Sequence, residues 1–401
     1  MSSSQSTREN WSSQIIINMN LIYTYLNLSL KNGTLPNELK KARVNPIYKS
    51  GSRKSFDNYR PISVLPILSK IFEKCVYRQL VNHLENNNLL SNFQFGFRSR
   101  QSTEIAATFF TDNIRSTMDE GKYTGAIYID LSKGFDTISH SILLKTLHNY
   151  GISGRSNEWL ADYLFCRSQQ VSYLGTLSSP QSIFCGVPQE SILVPLLFIV
   201  YFNDAANAIV NSKILMYADD TVLFCSHKDI NTVQQCLEDD FRLLSQWLKD
   251  NELIVNFKKG KTEVMVFGTH PRLKKLQNDP IRIEHCGNMI NSTTSYKYLG
   301  IQLTPSQNMT SHITDSIKKA STRIRLLRKT RSFMDTETEN LVYQTLILPL
   351  FTYCSLSIYG ATLEYLKRQI VKIENRVECI VGRPIQTCEQ VLVKRICSFV
   401  H

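Results

Sequence analysis

An α+β fold is predicted by two stretches of this sequence. In Ile214-Leu-Met-Tyr217-Ala218-Asp219-Asp220-Thr221-Val-Leu-Phe-Cys225, apolar, β-favouring runs flank a compact acidic turn, the pattern of a tight hairpin that lifts Asp219 and Asp220 to the rim of a sheet. In Gly125-Ala-Ile-Tyr-Ile-Asp130 a second apolar strand ends in a carboxylate. After Leu-Ser-Lys-Gly134-Phe135-Asp136 the periodicity turns helical through Ile138, Ile142, Leu143, Leu147 and Tyr150, and Gly151 stops it. Adjacent carboxylates disfavour each other's ionisation unless a cation neutralises them, and a divalent metal is the natural partner. An isolated acidic pair more often punctuates a solvated loop. The second acidic strand end favours a metal, because three carboxylates on neighbouring strands can hold two magnesium ions for phosphoryl transfer.

Composition frames what these acids serve. The 401 residues, 42% of them hydrophobic, allow two or three subdomains and a substantial core. A formal charge of +12 and a pI near 9.1 suit a polyanionic partner. Ten cysteines run from Cys75 to Cys397 with no Cys-x-x-Cys pair and no Cys/His cluster at zinc spacing, and they read as buried reduced thiols. The longest apolar run, Ile192 to Phe202, contains Pro195 and is too short to cross a membrane. The N-terminus, Met-Ser-Ser-Ser-Gln-Ser-Thr-Arg-Glu-Asn, lacks the basic start and apolar segment of a secretory signal. An intracellular location follows as the default, nucleus and cytoplasm undistinguished. The triplets Asn27-Leu-Ser and Asn32-Gly-Thr then read as incidental.

Taken in order, residues 1–13 read as disordered, and Ile15 to Leu30 as a helix that Gly33 stops. Leu35 to Gly51 reads as a strand entering a basic turn, and Tyr59-Arg60-Pro61-Ile62 precedes an amphipathic helix through Ile67, Ile71, Phe72, Val76, Leu80 and Leu84. In Gln94-Phe-Gly96-Phe97-Arg98-Ser-Arg100-Gln-Ser102-Thr103, Phe95 and Phe97 read as core, with stacking on a template strand as the competing reading, and Ser102 and Thr103 as a helix cap. Trp159 and Tyr163 are expected inside. Val233 to Leu248 and Ile313 to Arg331 read as helices, the second carrying Lys318, Lys319, Arg323, Arg325, Arg328 and Lys329 around much of its circumference. Leu346 to Tyr359 and Ile370 to Val381 extend the helical C-terminal region.

As an ordered series these motifs resemble the reverse transcriptase domain of a non-LTR (LINE-like) retrotransposon of the jockey-like group, from about Leu28 to about Gly382. Tyr-Ala-Asp-Asp at 217–220 is similar to that family's metal-binding box, and Ile-Asp130-Leu-Ser-Lys-Gly-Phe135-Asp136 to its first acidic motif. The resemblance implies a right-hand polymerase: fingers with the start of the palm over 14–120, a palm built on an antiparallel sheet over 121–300, and a helical thumb over 301–401. It implies RNA-directed DNA polymerase activity, with an RNA template, a DNA primer and deoxynucleoside triphosphates as partners and no membrane. Asp130, Asp219 and Asp220 would hold two Mg2+ ions, Mn2+ being the alternative, with Asp220 the less certain ligand.

The same resemblance assigns the remaining site residues. Lys49 and Arg60 would contact the triphosphate, Gln189 the nucleotide, Lys261 of Asn256-Phe-Lys-Lys259-Gly-Lys261-Thr262 the phosphates, and Phe135 would lie under the sugar and block a 2′-hydroxyl. Gly96 would let the backbone approach a nucleic-acid strand beside the charges of Arg98 and Arg100. Tyr298, Leu299 and Gly300 match the motif that grips the primer terminus, and Arg323 and Arg328 suit a thumb along a duplex backbone. Solvated surface charge is the competing reading for the lysines and arginines.

Three departures stand against the family pattern. In Gly186-Val-Pro188-Gln189-Glu190-Ser191-Ile-Leu-Val194-Pro195, Glu190 and Val194 occupy positions where the family carries glycine, and Gly134 stands where alanine is usual. A carboxylate at 190 near a triphosphate and two metal-binding acids is expected to cost a few kcal/mol, enough to slow turnover by about two orders of magnitude, unless the side chain turns to solvent. Neither a nuclease constellation nor a zinc knuckle is recognisable, so the expectation is a truncated copy lacking the endonuclease. Two alternatives remain at this stage: a nucleic-acid-binding remnant without chemistry, or a nonfunctional relic.

Overall fold

The computed structural model describes residues 20–188, 190–258, 260–276 and 281–400, the last three for their backbone only. Expectations for residues 1–13, for 15–19 and for Gln189 lie outside the described residues. From the N-terminus the chain forms helix α1 (20–32), strands β1 (Lys41–Tyr48) and β2 (Tyr59–Val64), helices α2 (Ile67–Asn86) and α3 (Thr103–Asp119), and strand β3 (Tyr123–Ile129). Helices α4 (His140–Asn149) and α5 (Arg155–Leu164), short strands β4 (Arg167–Tyr173), β5 (Thr176–Leu177) and β6 (Gln181–Ile183), and helix α6 (Val194–Phe202) follow. Next come β7 (Lys213–Tyr217), β8 (Asp220–His227), α7 (Ile230–Asp250), β9 (Glu263–Phe267), α8 (His270–Leu276), β10 (Ile283–His285), β11 (Asn288–Ser292), β12 (Tyr296–Tyr298) and β13 (Ile301–Leu303). Helices α9 (Thr310–Thr330), α10 (Thr336–Val342), α11 (Pro349–Thr352), α12 (Ser355–Tyr359), α13 (Glu364–Val381) and α14 (Cys388–Val400) complete it.

These elements make two compact units. The first takes the chain up to Asn92, Leu131–Ala206 and Gln246–Ile254; the second takes Phe93–Asp130, Asn207–Ser245 and the chain from Val255 on. Both units are discontinuous, whereas the fingers, palm and thumb expected from sequence are consecutive blocks.

In the first unit β1 pairs antiparallel with β2, putting Ile47 opposite Arg60 and Tyr48 opposite Tyr59, and pairs parallel with β4. Helix α6 is apolar on every face, so burial rather than a membrane accounts for the run from Ile192 to Phe202: every residue from Leu196 to Phe202 is buried. Among the described residues no helix is long and apolar enough to cross a membrane. Trp159 and Tyr163, predicted inside, are fully buried and stacked at 5.6 Å between ring centroids. Trp159 donates its indole N–H to Ser29 Oγ at 2.9 Å, which satisfies the polar edge of the ring.

The second unit is built on a six-stranded sheet in the order β10-β11-β9-β3-β8-β7. All seven residues of β3 are buried, which is why its sequence reads as a continuous apolar run instead of alternating. Gly125 is required within it: a Cβ there would stand 2.6 Å from Leu237 and 2.7 Å from Val233 of α7. Phe110 of α3 covers the sheet, its ring meeting those of Tyr128, Phe224, Phe267 and Tyr298 edge-on. Helix α9 buries Ile313, Ala320, Ile324 and Leu327 and leaves Lys318, Lys319, Arg325, Arg328 and Lys329 exposed. The stretch predicted as one helix from Leu346 to Tyr359 is broken at Tyr353 and Cys354, whose φ of +51° ends α11 and begins α12. Nor are the cysteines uniformly buried: Cys354 and Cys388 are, but Cys166, Cys185, Cys286, Cys379 and Cys397 lie exposed.

The loop into β7 hangs on one carboxylate. Fully buried Asp240 accepts the backbone N–H groups of Val210, Asn211 and Ser212 at 3.0, 2.8 and 2.5 Å. Asp240→Ala strands these donors and is expected to cost about 3 kcal/mol in chemical denaturation.

Candidate active site

Tyr217 pairs with Asp220 across the β7–β8 hairpin, so Ala218 and Asp219 form its turn, as the sequence predicts. Ala218 has a φ of +57°, a left-handed conformation that an alanine resists. Its restraint comes from a residue to which sequence reasoning gave no role. Gln94, completely buried, accepts the N–H of Ala218 at 3.2 Å and that of Gly96 at 2.8 Å through the same Oε1. Phe95 N–H donates to the Met216 carbonyl and Met216 N–H to that of Phe93, at 2.8 and 2.9 Å, so this segment runs alongside β7. A Cβ on Gly96 would stand 2.4 Å from the Ala218 nitrogen. Close approach is what Gly96 permits, and the backbone it lets in is that of the chain's own acidic turn.

β3 and β8 are antiparallel with Ile129 opposite Thr221, so Asp130 leaves one strand where Asp220 enters its neighbour. Asp130 is held firmly. Its Oδ1 lies 3.3 Å from Lys261 Nζ and its Oδ2 accepts from Asn256 Nδ2 at 2.8 Å, while its carbonyl takes the Asn256 N–H at 2.8 Å. Asp220 keeps solvent on one side, yet its carboxyl is pushed up to about 6, first by desolvation among its neighbours, then by the negative charges of Asp219 and Asp130, with Lys261 opposing. Asp219 and Asp130 thus lie near enough to Asp220 for their charges to act on its carboxyl. Tyr296, stacked on Tyr128 at 3.9 Å, lines the same place: burial first, then the charges of Asp220 and Asp130, raise its hydroxyl.

Among the described residues no three His, Cys, Asp or Glu side chains are arranged to hold a metal ion as they stand. Lys261 takes a cation's place on Asp130. The donor set nonetheless fits a hard divalent ion, being all carboxylate oxygen.

Other candidates fall in the two units separately. In the first, Lys49 and Arg60 are exposed on the β1–β2 hairpin, whose tip is ordered by Arg53 over the Tyr48 ring at 5.1 Å. Phe135 packs on Phe198 at 4.4 Å, and its carbonyl accepts the Val187 N–H at 3.1 Å. Gly186, with a φ of +74°, leaves no room for a side chain, since a Cβ would meet the Asp136 carbonyl oxygen at 2.5 Å. Glu190 has a φ of +73° and is exposed, so the backbone there does favour glycine while the carboxylate turns to solvent. Val194 has no such strain; it begins α6 and is 3% exposed, packed in the core. At Gly134 a Cβ would meet Phe198 at an ordinary 3.4 Å, so the alanine usual in the resembled family fits equally.

In the second unit Ser102 caps α3 by accepting the Ile105 N–H, and Phe95 is core as predicted, but Phe97 is 46% exposed with a φ of +56°. Arg98 is half-buried and Arg100 exposed. Leu299 and Gly300 form the β12–β13 turn, and Tyr353 donates its hydroxyl to the Leu299 carbonyl at 2.7 Å while its ring fills the space beside Gly300. Tyr298, 4% exposed, faces Phe110 and Tyr128, and Arg323 donates to the Leu346 carbonyl. Tyr298 is thus packed inside, whereas Arg323 is partly exposed and braces α9 against the Leu346 carbonyl. Arg328 is exposed.

Residues 47–303 match the family described as Reverse transcriptase (RNA-dependent DNA polymerase). The chain is 29% identical over 378 residues to a probable RNA-directed DNA polymerase from transposon BS of Drosophila melanogaster, covering 90% of this chain and 40% of that protein. It is 25% identical over 353 residues to the RNA-directed DNA polymerase from mobile element jockey of Drosophila funebris, covering 85% and 37%. Thus it spans about 40% of the length of the curated relatives it matches. A telomerase structure from Candida albicans aligns over 87% of this chain and 62% of that one at 14% identity and a TM-score of 0.46, a likeness too weak to build on.

Proposed function

Since this chain belongs to the reverse transcriptase (RNA-dependent DNA polymerase) family, we propose that it is an RNA-directed DNA polymerase of the non-LTR retrotransposon kind. It extends the 3′-hydroxyl of a DNA primer with deoxynucleoside triphosphates on an RNA template. The reading is supported above all by the β3–β8 register, with Ile129 opposite Thr221 and hence Asp130 next to Asp220. In the transfer the primer oxygen bonds to the α-phosphorus as its proton passes to solvent, and the bond to pyrophosphate breaks. Asp130, Asp219 and Asp220 would hold two Mg2+ ions, whose chemistry would be to lower the charge on the attacking and leaving oxygens.

The chain's other residues do the positioning. Asn256 fixes Asp130, and Lys261, once released from that carboxylate, serves the nucleotide phosphates. Lys49 and Arg60 contact the triphosphate, Arg60 with the planar fork that suits phosphate oxygens. Gln189 contacts the nucleotide and Phe135 lies under its sugar, excluding ribonucleotides. Arg98, Arg100 and Arg328 neutralise backbone phosphates. Leu299 and Gly300 support the primer terminus, with Tyr298 beneath their turn and Arg323 bracing α9.

A second reading, nucleic-acid binding without chemistry, is favoured by the left-handed backbone of Glu190. Primer extension on an RNA template with Mg2+ separates the two. Glu190→Gly is expected to add about 1 kcal/mol in thermal unfolding by relieving the strained dihedral, and to raise extension by up to about a hundredfold if the carboxylate also repels the triphosphate. Extension by the glycine variant alone would establish the second reading; extension by neither protein would overturn the first.

A further inference from the structure

Helix α2 carries one carboxylate that solvent does not reach. Glu73 is fully buried, and neither a lysine nor an arginine pairs with it among the ion pairs of the described residues. A buried charge without a cation is costly unless hydrogen bonds satisfy it, and a methionine or leucine would fill the same volume more cheaply. Four donors satisfy this one. Its Oε1 lies 3.3 Å from Ser69 Oγ and 3.2 Å from the Tyr163 hydroxyl; its Oε2 accepts from Ser191 Oγ at 2.9 Å and from the Ile192 N–H at 2.8 Å. Tyr163 and Ser191 also touch each other, at 2.7 Å.

Two of these donors, Ser191 and Ile192, belong to the short connection between Glu190, with its left-handed backbone, and the start of α6. Ser191 Oγ in turn accepts the Leu193 N–H at 3.2 Å. The backbone that follows Glu190 is thus anchored by a side chain from a helix 119 residues before Ile192. We propose that Glu73 is a positioning residue for the connection beside the proposed nucleotide contact: it acts as an acceptor that fixes Ser191 and Ile192. The proposal rests on the polymerase reading for the identity of the nucleotide, but its geometry stands within the first unit alone.

What matters in this role is acceptor geometry, not charge, and that makes it testable. In Glu73→Gln the amide oxygen can still take Ser191 and Ile192, while the Nε2 hydrogens face Ser69 and Tyr163, whose hydroxyls can turn to accept. Glu73→Met keeps the volume and accepts nothing. With the full chain on a primed RNA template, Glu73→Gln is expected to keep the KM for deoxynucleotide within about twofold of wild type. Glu73→Met is expected to raise it about tenfold or more, with kcat and primer–template affinity changed far less, the size of effect seen when an orienting neighbour of a site is removed. Ser191→Ala, which removes one donor and leaves the helix core intact, is expected to move KM in the same direction by less, and serves if the methionine variant does not fold. Hydrogen exchange at the amides of 190–193 is read in parallel: protection is expected to be kept in the glutamine variant and lost in the methionine variant. A folded methionine variant with unchanged KM, or a glutamine variant as impaired as methionine, overturns the proposal. Where wild type itself does not extend, exchange protection alone decides it, and the polymerase reading fails separately.

Discussion

Asp130→Ala and Asp219→Ala each reduce primer extension by about a thousandfold or more, equivalent to roughly 4 kcal/mol of transition-state stabilisation, while leaving the protein folded. The size follows from the arrangement. Asp130 and Asp220 sit at facing ends of paired strands, and the charges of Asp219 and Asp130 act on the Asp220 carboxyl. Asp219→Ala removes one of the charges acting on Asp220, so its thermal stability is expected to hold even as activity vanishes, whereas Asp130→Ala also loses its contacts with Asn256 and Lys261 and is expected to melt slightly lower. Single-turnover extension and a melting curve on the same preparations check both halves. Full extension by either alanine variant would remove the metal assignment and with it the proposed chemistry.

Gly96→Ala is the second large effect, and it acts without touching any charged group. The added methyl meets the Ala218 nitrogen at 2.4 Å, a contact with backbone that no rotamer can relieve. Either the segment at 93–96 withdraws from β7 or the acidic turn shifts; both break the two hydrogen bonds at Gln94 Oε1. Overpacking of this kind costs about 3 kcal/mol, and a displacement near 1 Å at a reacting group costs about a hundredfold in rate. Gly134→Ala is the matched control, since its methyl meets Phe198 at 3.4 Å and is expected to be silent in both measurements.

Periodicity made the hairpin at 217–220, the central strand ending at Asp130 and most helices legible, because each is a local pattern: apolar runs around an acidic turn, or 3.6-residue spacing closed by a glycine. Gln94 and Glu73 were not legible. Nothing about a glutamine after Phe93, or a glutamate within an amphipathic helix, announces complete burial; each is inside because a distant turn supplies its hydrogen-bond partners. Phe97 failed for the opposite reason. Its hydrophobicity argued for the core, but its left-handed backbone directs it outward. Glu190 was singled out by a missing glycine, and its positive φ gives that departure a backbone cause, whereas Val194 shares the departure without the strain.

The pairing of β3 with β8 joins segments about ninety residues apart, and everything between them must be looped out before Asp130 and Asp220 meet. Closure entropy of that magnitude is met late, after the local helices have condensed, so refolding from denaturant is expected to recover helical circular dichroism well before it recovers catalysis. During synthesis, too, the ribosome exposes an uncompensated strand end long before its partner emerges, and Tyr123–Ile129, apolar on both faces, is the segment most in need of a chaperone in that interval.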